Sequence, residues 1–212
     1  MAGYQKTLLV LSCSYYFTYD GGYYCGEIFQ VGEYKLSCVV SIVQDGVIFM
    51  GGDSLAIDDD SNQTLVKDEK VFYKTVGLKS KMLMGFVGNY RIGNIMKHTF
   101  KCPKRLSNDT VEQYIYDRFI VSLKEAVKNE NFEDTSLLIG YEKNLYVIED
   151  DFSVVCPVSP YTAIGHGGAY ALGALSVLFS FGIAPQMKIE KALSAASEHS
   201  AAVKPPYLIL EL

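Results

Sequence analysis

Regular alternation of apolar and polar positions begins at residue 37. The runs SCVVSIVQ (37–44) and VIFMGGDS (47–54) flank Asp45-Gly46. Such a dipeptide between apolar runs predicts a hairpin, because the tight two-residue turn needs positions that tolerate positive φ. KVFYKTV (70–76) and KMLMGFVG (81–88) predict a second strand pair, with the polar stretch IDDDSNQ (57–63) as a loop before it. The spacing then lengthens. Ile92, Ile95, Met96 and Phe100 fall on one face of a helix that starts near Asn89 and that Pro103 terminates. A second helix follows, capped by Asn108 or Asp109, with Val111, Ile115, Phe119, Leu123 and Val127 at a spacing of four. Strands are predicted over residues 135–141, 144–150, 153–158 and 161–167. Residues 169–181 form a helix apolar on nearly every face, hence expected to be buried between neighbours. The last helix spans 186–203, is ended by Pro205-Pro206, and leads to a closing strand at 207–212. Strands and helix pairs in this order predict a layered α+β protein: two antiparallel sheets face to face, with helix pairs on both outer faces.

Composition divides the chain near residue 36. Residues 1–36 are rich in tyrosine, alternate little and contain no capped helix. Within them TLLVLSCS (7–14) has a faint likeness to the apolar segment of an export signal. It is short, carries only Lys6 ahead of it, and is followed by tyrosines where a cleavage site of small residues belongs. The expected organisation is a leader or upstream extension over 1–36 and one domain over 37–212.

Charge and cysteine usage narrow the classes of partner. A net charge of −5 with 20% charged and 49% apolar residues fits a globular protein. It provides no attraction for nucleic acid or an anionic membrane, so neither is expected as a partner. Lys101, Lys104 and Arg105 beside Pro103 are the densest basic run and read as a solvated loop. No apolar run approaches the roughly 20 residues of a membrane helix. The five cysteines are scattered, with no CxxC pair, which points to a reducing cytoplasm and to neither a disulfide framework nor a zinc site. His98 and His199 lie on helices without metal-ligand spacing and read as surface or core residues. No cofactor or metal is expected.

Several motifs in sequence order resemble the proteasome β-subunit and HslV family of N-terminal nucleophile (Ntn) hydrolases. SCVVSIVQDGVIFMGGDS resembles the family's opening hairpin, DEKVF (68–72) the segment with its buried lysine, and MLMGFVGNYRIG (82–93) the strand entering its first helix. YTAIGHGGAYALGAL (161–175) and IEKALSAASEHSA (189–201) resemble its later glycine-rich segment and last long helix. The likeness covers residues 37–212 and is greatest to HslV-like proteins of phages and prophages. Those chains open Met-Thr-Cys-Ile-Val, where this one has Leu36-Ser37-Cys38-Val39-Val40. It implies a four-layer αββα sandwich, an endopeptidase acting on polypeptides, and a homo-oligomeric ring with its sites facing a chamber. An ATP-driven unfoldase is the further partner implied, although no docking motif for one stands in the sequence.

In such enzymes the first residue supplies both the nucleophile and, through its α-amine, the base. An α-amine titrates at about 7.7–8.0, far closer to neutrality than a lysine, so enough of it is unprotonated to take a proton at working pH. The resemblance places Ser37 at the nucleophile position, with the right spacing to Asp53. Cys38 is the neighbouring rival, a better nucleophile by nature but on the opposite side of the strand. Lys70 corresponds to the lysine beside the nucleophile and Asp53 to its partner, while Lys67 is a weaker alternative to Lys70. Gly88 corresponds to the glycine whose N–H stabilises the oxyanion. His166 stands where the family often has serine. It is read as a hydrogen-bond partner of the amine, a second base or a structural residue. Glu198 retains the family's acid in kind, but Ala201 replaces the following serine, with Ser200 adjacent.

All of this requires Ser37 to be freed. Two routes are expected: self-removal of a propeptide, against which Leu36 departs from the usual glycine, or translation starting at codon 36. While Leu36 remains joined to Ser37, the chain is expected to be inactive. A catalytically silent scaffold subunit and a small-molecule Ntn amidase are the alternative readings.

Overall fold

The protein is described by a computed structural model over residues 35–57, 62–67, 69–78 and 80–212. The expectations for the tyrosine-rich segment, its export-like stretch, Cys13 and Cys25 lie outside the described residues. The opening hairpin is present as β1 (Val39–Gln44) and β2 (Val47–Gly52). Asp45 and Gly46 take φ of 53° and 78°, the two positive values that a tight hairpin turn needs. Its outer neighbours come from far along the chain, β10 (Tyr161–Ile164) beside β1 and β11 (Leu208–Glu211) beside β2, all antiparallel.

A second antiparallel sheet follows chain order through β5 (Val71–Val76), β6 (Ser80–Val87), β7 (Ser136–Tyr141), β8 (Asn144–Ile148) and β9 (Val154–Val155). The ends of the expected polar loop are instead ordered as a small ladder of β3 (Leu55–Ile57) and β4 (Gln63–Leu65).

Four helical segments complete the described chain. α1 begins as Tyr90–Asn94 and continues as a π-helix over Ile95–Thr99. It ends before Phe100, whose extended backbone stops it ahead of Pro103. α2 comprises Val111–Gln113, a π-helical stretch Tyr114–Phe119 and Ile120–Val127. Its cap is Thr110, which forms a capping box with Gln113, and not Asn108 or Asp109. The Asp109 carboxylate is already engaged by Arg118 and the Leu106 N–H. α3 (Gly168–Leu178) and α4 (Pro185–His199) are α-helical.

The strands' twofold periodicity divides their side chains between clusters. Val39, Ile48 and Met50 of the first sheet share one cluster with Val71, Leu83, Leu138 and Val147 of the second. Val40, Ile42 and Phe49 pack with Ala171, Leu175, Ile189, Leu193 and Ala196 of α3 and α4. Met82, Met84, Leu137 and Ile139 pack with Ile92, Met96, Ile115, Phe119 and Leu123 of α1 and α2. Each fully buried side chain of this size contributes about 1.5–3 kcal/mol over an exposed one. α3 departs from expectation. Ala171 and Leu175 are buried, but Tyr170 and Val177 are exposed, as is Phe181 just beyond the helix. Among the described residues no helix is long and apolar enough to cross a membrane.

Candidate active site

The entry to β1 and the exit of β2 lie side by side because the hairpin is in register from Val39↔Gly52 to Gln44↔Val47. Ser37, just before β1, therefore comes near Asp53, just after β2. The Asp53 N–H donates to the Cys38 carbonyl at 3.3 Å, and the Cys38 N–H donates to Asp53 Oδ1 at 3.0 Å. The other carboxylate oxygen accepts from the N–H groups of Leu55 at 3.0 Å and Lys204 at 3.4 Å. Lys70 enters from the residue ahead of β5. Its ammonium donates to Asp53 Oδ1 at 2.8 Å, the Leu55 carbonyl at 2.6 Å and Ser37 Oγ at 2.5 Å. Three donors thus meet three acceptors, and the Tyr90 ring lies 5.8 Å from the ammonium.

Ser37, Asp53 and Lys70 are all buried. Burial pushes the Lys70 ammonium below the usual lysine range, and the charge and hydrogen bond of Asp53 partly offset it. A lysine so placed presents a positive charge to Ser37 Oγ, where an alkoxide would be favoured. Lys67 is exposed and not part of the cluster.

Cys38 presents only its backbone to this group. Its thiol lies in the apolar cluster with α3 and α4, and burial, with Asp53 adding to it, pushes the thiol well above the ordinary cysteine range. A thiolate is disfavoured there.

The turn after β10 holds the backbone around Ser37. The His166 N–H donates to the Lys35 carbonyl at 2.8 Å and the Gly167 N–H to the Ser37 carbonyl at 3.2 Å. Gly165 has φ of 90°, and a Cβ there would lie 2.5 Å from the Ser37 carbonyl oxygen, so no side chain fits. Ser37 itself has φ of 127°, a strained value for a residue with a side chain.

These observations support comparison with known structures. No protein-family model and no curated protein matches the sequence. Solved structures do match. Thiobacillus denitrificans BPH in complex with epoxomicin aligns with a TM-score of 0.66 at 19% identity, over 82% of this chain and 97% of that one. Eukaryotic HslV from Trypanosoma brucei aligns at 0.62 and 16% identity, over 82% and 98%. Anbu (ancestral beta-subunit) from Yersinia bercovieri aligns at 0.61 and 11% identity, over 82% and 80%. The fold is that of the proteasome-like Ntn hydrolases.

On this fold Ser37, Asp53 and Lys70 form one cluster, and the remaining predicted residues are dispersed around it. Gly88 ends β6 with φ of 90°, and a Cβ there would lie 1.9 Å from the Asp134 carbonyl oxygen, which by itself requires glycine. His166 Nδ1 lies 2.8 Å from Ser200 Oγ, and the Ala202 N–H donates to the same oxygen. Glu198 is on the exposed side of α4 and is not brought to the cluster; Ser200, noted only as its neighbour, is buried against His166 instead. His98 and His199 are exposed.

Sequence reading missed the backbone partners Leu55, Lys204 and Gly167, and also Lys35. The Lys35 ammonium reaches Ser136 Oγ and Glu149 Oε2, each at 2.8 Å, and Asp150 Oδ2 at 3.4 Å. The glycines of GHGG were a legible sign of close backbone approach, whereas an acidic pair ending a strand carries no such signal.

Proposed function

We propose that this protein is a proteasome-like Ntn hydrolase that cuts peptide bonds with Ser37 once that residue is the first of its chain. The observation that carries the reading is the buried hydrogen bond from the Lys70 ammonium to Ser37 Oγ, with Asp53 behind it. In the freed form the Ser37 α-amine takes the proton from Oγ, and Oγ attacks the substrate carbonyl to form an ester and release the amine product. Lys70 favours the developing alkoxide and keeps the nearby amine's pKa low, so that the amine is available as a base at neutral pH. The Gly88 N–H is the proposed donor to the tetrahedral oxyanion. His166, whose backbone N–H holds the Lys35 carbonyl, is the proposed positioning residue for the backbone at Ser37. Water then hydrolyses the ester and restores the hydroxyl.

Strain gives a reason for release. A residue's φ is defined only while another residue precedes it, so opening the Leu36–Ser37 bond removes the constraint behind the 127° value. Residues 1–36 are read as a leader, a propeptide or an upstream extension that the active form lacks.

The reading includes the four-layer αββα sandwich, supported by the division of buried side chains among three clusters, and assembly into a ring. The exposed Tyr170, Val177 and Phe181 favour assembly, since they are apolar surface that a second copy would cover. One observation favours a second reading, a silent scaffold subunit: with Leu36 attached, Ser37 has no α-amine and is only 3% exposed.

Hydrolysis of unfolded polypeptide by protein opened before Ser37, absent from Ser37→Ala opened in the same way, is the expected result. Opened protein that assembles by light scattering but hydrolyses nothing would support the scaffold.

A further inference from the structure

Lys35 lies two residues before Ser37, and its contacts are those of a bound ligand. Its ammonium donates to Ser136 Oγ and Glu149 Oε2, with Asp150 Oδ2 completing an acidic receptor. Ser136 is 2% exposed and turns its hydroxyl proton to Glu149 Oε2 at 2.7 Å, leaving its oxygen to accept from the lysine. The receptor is built independently of its occupant. Ser136 opens β7, and a turn fixes Glu149, whose N–H donates to the Ser153 carbonyl at 3.0 Å while its carbonyl accepts from the Phe152 N–H at 2.9 Å. Removing Lys35 therefore leaves the Ser136 hydroxyl and the Glu149 carboxylate held by contacts of their own.

We infer that Ser136, Glu149 and Asp150 form a specificity subsite for a basic side chain on the substrate residue second from the cut bond, on its acyl side. Lys35 occupies this subsite in the uncut chain.

The geometry follows from the chemistry of the reading above, on which the inference rests. The Leu36 carbonyl carbon is bonded to the Ser37 nitrogen, and a substrate's acyl carbon must come to Ser37 Oγ. These two atoms belong to the same residue, so both acyl carbons start from nearly one place. A substrate chain leaving that point along the course of Leu36 and Lys35 puts its second residue over Glu149. The backbone course is itself held, since the His166 N–H takes the carbonyl of this same residue. The substrate class is thus unfolded polypeptide with Lys or Arg one residue before the residue at the cut. Arginine is accommodated as well as lysine, because two carboxylates and a hydroxyl suit a planar fork of donors.

The test uses the full-length chain, folded and then opened before Ser37 by a site-specific protease whose recognition sequence replaces residues 31–36. Three fluorogenic peptides that differ only at the second residue, Lys-Leu, Ala-Leu and Glu-Leu, are compared by kcat/KM. A partly exposed charge-assisted contact predicts a preference of about fivefold for Lys over Ala, and a larger one over Glu. In the Glu149→Gln/Asp150→Asn double variant the Lys-to-Ala ratio should fall to near one, while exposed Glu142→Gln keeps the parent ratio. Equal kcat/KM for the three peptides, or a preference that persists in the double variant, would overturn the subsite. If no peptide is hydrolysed, the catalytic reading fails but the subsite is still decided by calorimetric binding of the same peptides. Tighter binding of the Lys peptide that vanishes in the double variant upholds the subsite, and equal binding overturns it.

Discussion

Lys70 lies 2.8 Å from Asp53, and Lys35 lies 2.8 Å from Glu149, but the first pair is 1% and 0% exposed and the second 23% and 37%. The two ammonium groups respond in opposite directions. Burial outweighs Asp53 at Lys70 and pulls it down. At Lys35 burial also pulls down, but the hydrogen bond and charge of Glu149, with Asp150, outweigh it and hold the lysine above its usual range. Equal distances thus conceal unequal roles. The inner pair is a strained charge kept next to a hydroxyl, as a reaction centre requires. The outer pair is an exchangeable contact at the rim, as recognition requires.

The largest expected effect comes from removing one half of the inner pair. Asp53→Ala leaves the Lys70 ammonium buried without its counter-charge, which should cost about 3–5 kcal/mol in chemical denaturation. Asp53→Asn combined with Lys70→Met, which keeps a side-chain oxygen as acceptor at residue 53, should recover most of that loss, because it is the unpaired charge that is costly. A double variant no more stable than Asp53→Ala would show that the pair itself, and not its completion, holds this part of the fold.

The pH dependences should differ in sign. Lys70 has a folded pKa below the 10.5 of a free lysine, so between that lowered value and 10.5 the unfolded chain binds more protons and stability rises with pH. Lys35 has a folded pKa above 10.5, so its contribution is fully present below 10.5 and is lost as pH rises through the raised value. Subtracting the stability curves of Lys70→Met and Lys35→Met from the parent should give slopes of opposite sign near pH 10. Slopes of the same sign would mean that burial does not separate the two sites.

The smallest effect is expected at the rim. Glu149→Gln should change stability by only about 0–1 kcal/mol, since more than a third of that side chain is exposed and solvent screens the pair. A loss as large as that of Asp53→Ala would make the outer pair structural.

The same contrast explains what could be read from the sequence. Ser37, Asp53 and Lys70 were singled out by the resemblance to the proteasome-like family, and the hairpin register and strand start that local alternation and Asp45-Gly46 predict bring the three together. The rim was not, because Glu149 and Asp150 look like any solvated strand end until a distant lysine meets them. Helix detail failed for a related reason. Apolar residues spaced by four in α2 fit a mixture of α and wider π turns, but spacing alone does not place the π segment at Tyr114–Phe119. The cap moved to Thr110 because Asp109 bonds to Arg118, nine residues on. The exposed apolar side of α3 was hidden by a rule that assumes a single chain covers its own apolar surface.

The central claim is that Ser37, once it begins the chain, is the nucleophile. The most direct measurement is intact and peptide-level mass spectrometry after treating opened protein with a peptide epoxyketone. One adduct on Ser37, absent from Ser37→Ala and from chain in which Leu36 is still attached, is the predicted result. An adduct on another residue, or none on opened and correctly folded protein, would contradict it.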